Sequence, residues 1–136
     1  MKVKGVKKAI IKTLFIIITM ITTNNYAQER SNWVPKNYKI TGTWSFVTKN
    51  NQKYLVFGED FKTSRGPDVK VYLSKKSIGN IDKRESVDEG GVFLGEIKFS
   101  GSQEFKIPES IDLKTYKSIV IHCQRYSAVW GGSNIE

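Results

Sequence analysis

Ser118-Ile119-Val120-Ile121-His122-Cys123 is the stretch on which the fold turns. It is rich in β-branched residues and contains no Pro or Gly, so it reads as an interior strand. Side chains alternate on a strand, which puts Ile119, Ile121 and Cys123 on one face, taken as the core, and His122 on the other. Arg125 has the same parity as Cys123, and an unpaired arginine does not belong in a core. The buried face therefore ends near Cys123, which places the thiol at the margin of the domain beside a guanidinium that favours thiolate. The competing reading is a buried cysteine acting as a small hydrophobe.

Working outward, the next segment, 127–130, reads as the hairpin partner or neighbour of that strand. Upstream, residues 69–73 alternate Val69, Val71 and Leu73 against Lys70 and Tyr72, giving one buried face. Arg65-Gly66-Pro67-Asp68 before it is a turn. Residues 40–47 and 54–57 carry strand formers on either side of Asn50-Asn51, a turn signal. Segments 92–99 and 104–107 flank Ser100-Gly101-Ser102 and read as a hairpin. Ser110 can cap one helical turn through Lys114. Residues 74–91 are rich in Lys, Ser, Asp, Glu and Gly, with isolated Ile78, Ile81 and Val87, and read as a long surface excursion. Many short strands and no long amphipathic helix predict an all-β chain, an antiparallel β-sandwich or flattened barrel with little helix.

The 136 residues fit one domain. Lys2, Lys4, Lys7, Lys8 and Lys12 precede an apolar run at 14–21, and Ala27 follows a polar stretch. This is the pattern of a signal peptide over 1–27, removed on export. The alternative is an uncleaved anchor, which the short run interrupted by Lys12 disfavours. Residues 28–37 then form a polar lead-in, and the β domain spans 38–136. The expected location is periplasmic, cell-surface or secreted. Contact with a membrane is expected only through an uncleaved signal segment.

The net charge of +9 is mostly the leader's. After residue 27 there remain 17 basic against 13 acidic residues. That mild excess, without a basic helix or zinc spacing, gives no nucleic-acid groove. Cys123 is the single cysteine, so no intramolecular disulfide can form. His122 is the single histidine, and both methionines lie in the leader, which removes two-histidine metal sites and a blue-copper set. There is no c-type haem motif and no Gly-rich phosphate loop. Strand parity also separates His122 from Cys123, against a Cys–His nucleophile. No metal site is expected. Asp68, Trp44 and Trp130 are read as turn and core residues before ligand contacts.

The order of motifs adds a resemblance. Gly66-Pro67-Asp68-Val69 leads to Val71-Tyr72-Leu73-Ser74; Leu94-Gly95-Glu96-Ile97, Phe105-Lys106-Ile107-Pro108 and Ile111-Asp112-Leu113 follow; Ser118 to Cys123 precedes Tyr126-Ser127-Ala128-Val129-Trp130-Gly131. This pattern resembles the DM-thirteen domain, an electron-transfer domain that accompanies DOMON domains in animal proteins. The resemblance covers nearly all of the chain after the leader. It implies a β-rich extracellular domain whose late cysteine, here Cys123, acts as a bare redox thiol or as a haem ligand. Gly132-Ser133 departs from the pattern, where an Ala commonly precedes the last apolar residue, and the Gly131-Gly132 pair is expected to loosen the final strand. Nothing matches DOMON, so a haem-bearing partner would be a separate chain.

The expected function is thus an exported redox module centred on Cys123, with Arg125 as stabiliser of its thiolate. The alternatives are a non-catalytic binding sandwich with a structural cysteine, and a haem domain with Cys123 as thiolate ligand. No cofactor is expected to be required for folding, and no independent catalytic activity is expected. The partner is a redox protein or a cell-envelope surface, with donor and acceptor unspecified.

Overall fold

A computed structural model describes residues 28–83, 87 and 89–135. The segment read as a signal peptide lies outside them. Ten strands, β1 (Val34–Pro35), β2 (Ile40–Thr41), β3 (Trp44–Lys49), β4 (Gln52–Phe57), β5 (Lys62–Thr63), β6 (Val69–Ser74), β7 (Val92–Glu96), β8 (Gln103–Lys106), β9 (Ser118–Cys123) and β10 (Ala128–Asn134), form antiparallel sheets without barrel closure. The larger sheet has the order β1-β10-β9-β6-β7 and the smaller the order β3-β4-β8; β2 and β5 make a separate ribbon. Asn50 and Asn51 both take left-handed backbone, the geometry of a tight hairpin turn, and they join β3 to β4 with Lys49 opposite Gln52.

The core lies between the sheets. Trp44, Leu55, Phe57 and Phe105 from the smaller sheet meet Val69, Val71, Leu73, Ile119, Ile121, Cys123 and Trp130 from the larger one. Phe57 stacks on Phe61 at 4.4 Å, and Trp33 meets Phe57 edge-on at 5.6 Å. Trp33 belongs to the segment read as a lead-in, and that segment also carries β1, paired to Gly131 and Gly132. Pro35 is tolerated there because β1 is an edge strand, where a missing N–H costs no ladder bond.

Strand β9 is interior, as its composition predicts: β10 and β6 flank it. Three local expectations are corrected. First, β9 is buried on both faces, not one. Nor are Ile78, Ile81 and Val87 isolated on a surface excursion, since they pack with Val120 and Val129 over the outer face of β9 and β10. Second, 92–107 is no hairpin. Strand β7 pairs with β6 and β8 with β4, so the intervening chain crosses from one sheet to the other. Its Gly101 N–H is taken by the Phe61 carbonyl at 2.9 Å, which ties the turn to the approach of β5. Third, the helical turn is Leu113–Thr115, capped by the Asp112 side chain rather than by Ser110.

The Gly131-Gly132 pair does not loosen β10. The strand continues through both glycines to Asn134, after an irregularity between Val129 and Gly131 that keeps Trp130 in the core.

Candidate functional site

Cys123 is the last residue of β9 and is fully buried. The expected margin position is met along the strand, but the expected access is not: the end of β9 is covered. Val69 of β6 and Ala128 of β10 are its register partners on either side. The connection 64–68 closes over it, and the thiol donates to the Pro67 carbonyl at 3.0 Å. A carbonyl offers only lone pairs, so it is the thiol form that makes this contact.

Several groups hold that connection down. The Trp130 indole donates to the Ser64 carbonyl at 3.0 Å. Its ring lies so close to Gly66 that a Cβ there would stand 2.7 Å from it, which only glycine avoids. The Gln124 N–H donates to the Asp68 carbonyl at 3.1 Å. Asp68 itself adopts left-handed backbone, φ 57°, which Asp tolerates better than most side chains. Its carboxylate pairs with Lys70 at 3.1 Å, and Lys70 also donates to the Gln124 side chain. On the outside, the Tyr38 ring packs tilted against Trp130 with ring centroids 4.3 Å apart.

Arg125 leaves the strand. It lies in the exposed turn 124–127, beside Tyr126, which is 70% exposed. Lys70 has a defined place in this corner, with Asp68 as its counterion, and Arg65 of the connection lies over the Phe99 ring. By sequence the Gly66-Pro67-Asp68 block reads as turn chemistry ahead of a ligand contact. That reading is right about the turn, but the block also carries the carbonyl that receives the thiol. His122 is fully buried on the opposite face, its ring 4.5 Å from that of Tyr72, so parity separates it from Cys123 as expected.

Haem ligation at Cys123 does not fit this arrangement. A thiolate ligand needs open space for the porphyrin plane, whereas Cys123 has no exposed surface and its sulfur is engaged with Pro67. A cleft of about 290 Å³ lies beside Gln52 and Ile107 and one of about 410 Å³ beside Lys39, Lys62 and Ser64, and Cys123 lines neither. Among the described residues no three His, Cys, Asp or Glu side chains gather as a metal site, and no helix is long and apolar enough to cross a membrane.

No curated protein and no solved structure matches the chain. A family model does: residues 33–135 match the family described as Electron transfer DM13. The match runs from Trp33, which packs on the core, through β10, and it includes Cys123 and the connection above it. On that span the chain belongs to the DM13 electron-transfer domain family.

Proposed function

We propose that the chain is an exported electron-transfer module whose redox group is the Cys123 thiol. The observation that carries this reading is the place of Cys123: the only cysteine of an electron-transfer domain stands at a strand end, one short connection away from solvent. The lysine-rich start, the apolar run and Ala27 support export. A single thiol exchanges electrons with a sulfur partner by thiol–disulfide exchange. Once uncovered and deprotonated, Cys123 attacks a disulfide of the partner protein. A bond forms from its Sγ to the near sulfur, the partner's S–S bond breaks, and the far sulfur leaves as thiolate and takes up a proton. Cys123 is oxidised to the mixed disulfide and the partner sulfur is reduced. A second thiol, attacking as thiolate, bonds to the partner's sulfur of the mixed disulfide, the bond to Cys123 Sγ breaks, and Cys123 leaves as thiolate and takes up a proton.

Complete burial of Cys123 favours a second reading, a non-catalytic binding sandwich in which the cysteine only fills the core. One experiment separates the two. The purified chain is equilibrated in glutathione buffers of graded oxidation and followed by intact mass and far-ultraviolet circular dichroism. The redox reading expects one glutathione adduct, reversed by dithiothreitol, on a chain that keeps its β spectrum. A native chain that stays unmodified throughout, and reacts only in denaturant, establishes the core-filling reading instead.

A further inference from the structure

We propose that the 64–68 connection is a latched cover whose opening, controlled by the Asp68–Lys70–Gln124 cluster, sets the reactivity of Cys123; this rests on the redox reading above. Three features separate the connection from an ordinary turn. It has no ladder partners of its own: β5 ends at Thr63 and β6 begins at Val69. It is held at each end by side chains from other strands, by Trp130 on Ser64 and Gly66 and by Lys70 through Asp68. Its last residue, Asp68, sits in left-handed backbone, which reverses the chain into β6.

The latch is polar and close to solvent. The Lys70 and Asp68 side chains retain 18% and 30% of their exposure. An ion pair at that depth is worth little more than a surface pair, so it can open without disturbing the sheets. Lys70 bonds both the Asp68 carboxylate and the Gln124 side chain, and the Gln124 N–H bonds the Asp68 carbonyl. Gln124 directly follows Cys123, so Lys70 ties the cover to the strand end that it covers. Release at Asp68 frees the Pro67 carbonyl, which is the acceptor of the thiol.

The test is the rate at which the full-length chain reacts with dithiodipyridine, a neutral aromatic disulfide, across urea concentrations below the unfolding transition. Local opening gives a rate nearly independent of urea, whereas global unfolding gives one that rises with the full denaturant slope. Asp68→Asn keeps a residue that tolerates left-handed backbone but removes the ion pair, and Lys70→Gln removes it from the other side. Each is expected to speed the reaction about fivefold, the scale of one weak, partly exposed ion pair. The double variant should be no faster than Lys70→Gln alone, because that change already removes the ion pair with Asp68 together with the bond to Gln124. Lys49→Gln, which breaks the exposed Lys49–Glu104 pair on the other sheet, should change nothing. The proposal is overturned if every variant's rate follows its global unfolding equilibrium. The glutathione titration fails or succeeds separately: reversible adduct formation with unchanged rates in the latch variants leaves the redox reading and removes the cover. Accelerated variants on a chain that holds no reversible adduct do the opposite.

Discussion

The indole of Trp44 on β3 donates to the hydroxyl of Ser133 on β10 at 3.0 Å, so one hydrogen bond joins the two sheets inside the core. Ser133 is fully buried, and its hydroxyl in turn donates to the Asn32 carbonyl at 3.3 Å. Ser133→Ala leaves the indole N–H without its acceptor in a place that water does not reach. Such an orphaned donor costs about 1–3 kcal/mol. Urea unfolding should show that loss, and Trp44→Phe combined with Ser133→Ala should cost less than the sum of the two single changes. Additive losses would show that the bond contributes nothing.

Ile81 is fully buried with Ile78, Val87, Val120 and Val129 on the outer face of the larger sheet. Ile81→Ala should therefore behave as a core truncation and cost about 2–5 kcal/mol. An exposed loop would lose under about 0.5 kcal/mol. A midpoint shift in urea, at unchanged slope, decides between them.

That contrast marks where the sequence could be read and where it could not. Strand β9 was legible because β-branched residues follow one another without a breaker, and the β3–β4 hairpin because Asn50-Asn51 is a local device. Ile78, Ile81 and Val87 stand singly among polar residues, so no period reveals a face. Their partners, Val120 and Val129, lie far along the chain. The same holds for β7 and β8, where Ser100-Gly101-Ser102 does turn, but tertiary pairing sends its two arms to different sheets. At the site, Cys123 and the end of its strand were legible from parity. Its cover was not, because the motifs that hold Pro67 and Trp130 do not tell that a backbone carbonyl meets Cys123 and an indole N–H meets Ser64 across the fold.

Gly131 and Gly132 differ in what a methyl group would meet. At Gly132 a Cβ would stand 2.3 Å from the Ile119 carbonyl and 2.6 Å from Ile78, in the middle of the sheet. At Gly131 it would stand 2.5 Å from the Val34 carbonyl, on a two-residue edge strand that can give way. Gly132→Ala should cost about 3 kcal/mol or more and Gly131→Ala about 1 kcal/mol, since overpacking is relieved only where the neighbour moves. Thermal melts of the two variants check the order. Hydrogen exchange should show the Gly131→Ala damage confined to residues 30–37.

Asp60 accepts from both the N–H and the hydroxyl of Thr43, at 2.9 and 3.0 Å. The backbone bond first, and the hydroxyl second, lower its pKa from the ordinary 3.8. A depressed folded-state pKa stabilises the fold above the unfolded-state value and stops doing so as pH falls through the folded one. Asp60→Asn should therefore melt below the parent at neutral pH. The two melting curves should converge as pH drops below the usual carboxylate range. A gap that persists in acid would show that the charge of Asp60 is not what Thr43 stabilises.

Cys123→Ser and Cys123→Ala should not be equivalent. A site at the domain margin would accept Ser for about 1 kcal/mol, but Cys123 is fully enclosed between Val69, Ala128 and the Pro67 carbonyl. The C–O bond is shorter than C–S, so a hydroxyl in the same rotamer falls short of Pro67 and stays underbonded in an apolar corner. That costs about 1–3 kcal/mol. Ala removes the polar group and leaves only a small void, for about 1 kcal/mol. Ser should thus be the more destabilising change by urea unfolding, although it is nominally the closer mimic. The order matters for function: Cys123→Ala removes the thiol at the smaller cost, so loss of the reversible glutathione adduct in that variant, on a chain that keeps its β spectrum and a cooperative melt, assigns the adduct to Cys123 itself. If Ser proves the milder change, the thiol has room and solvent that its burial denies it.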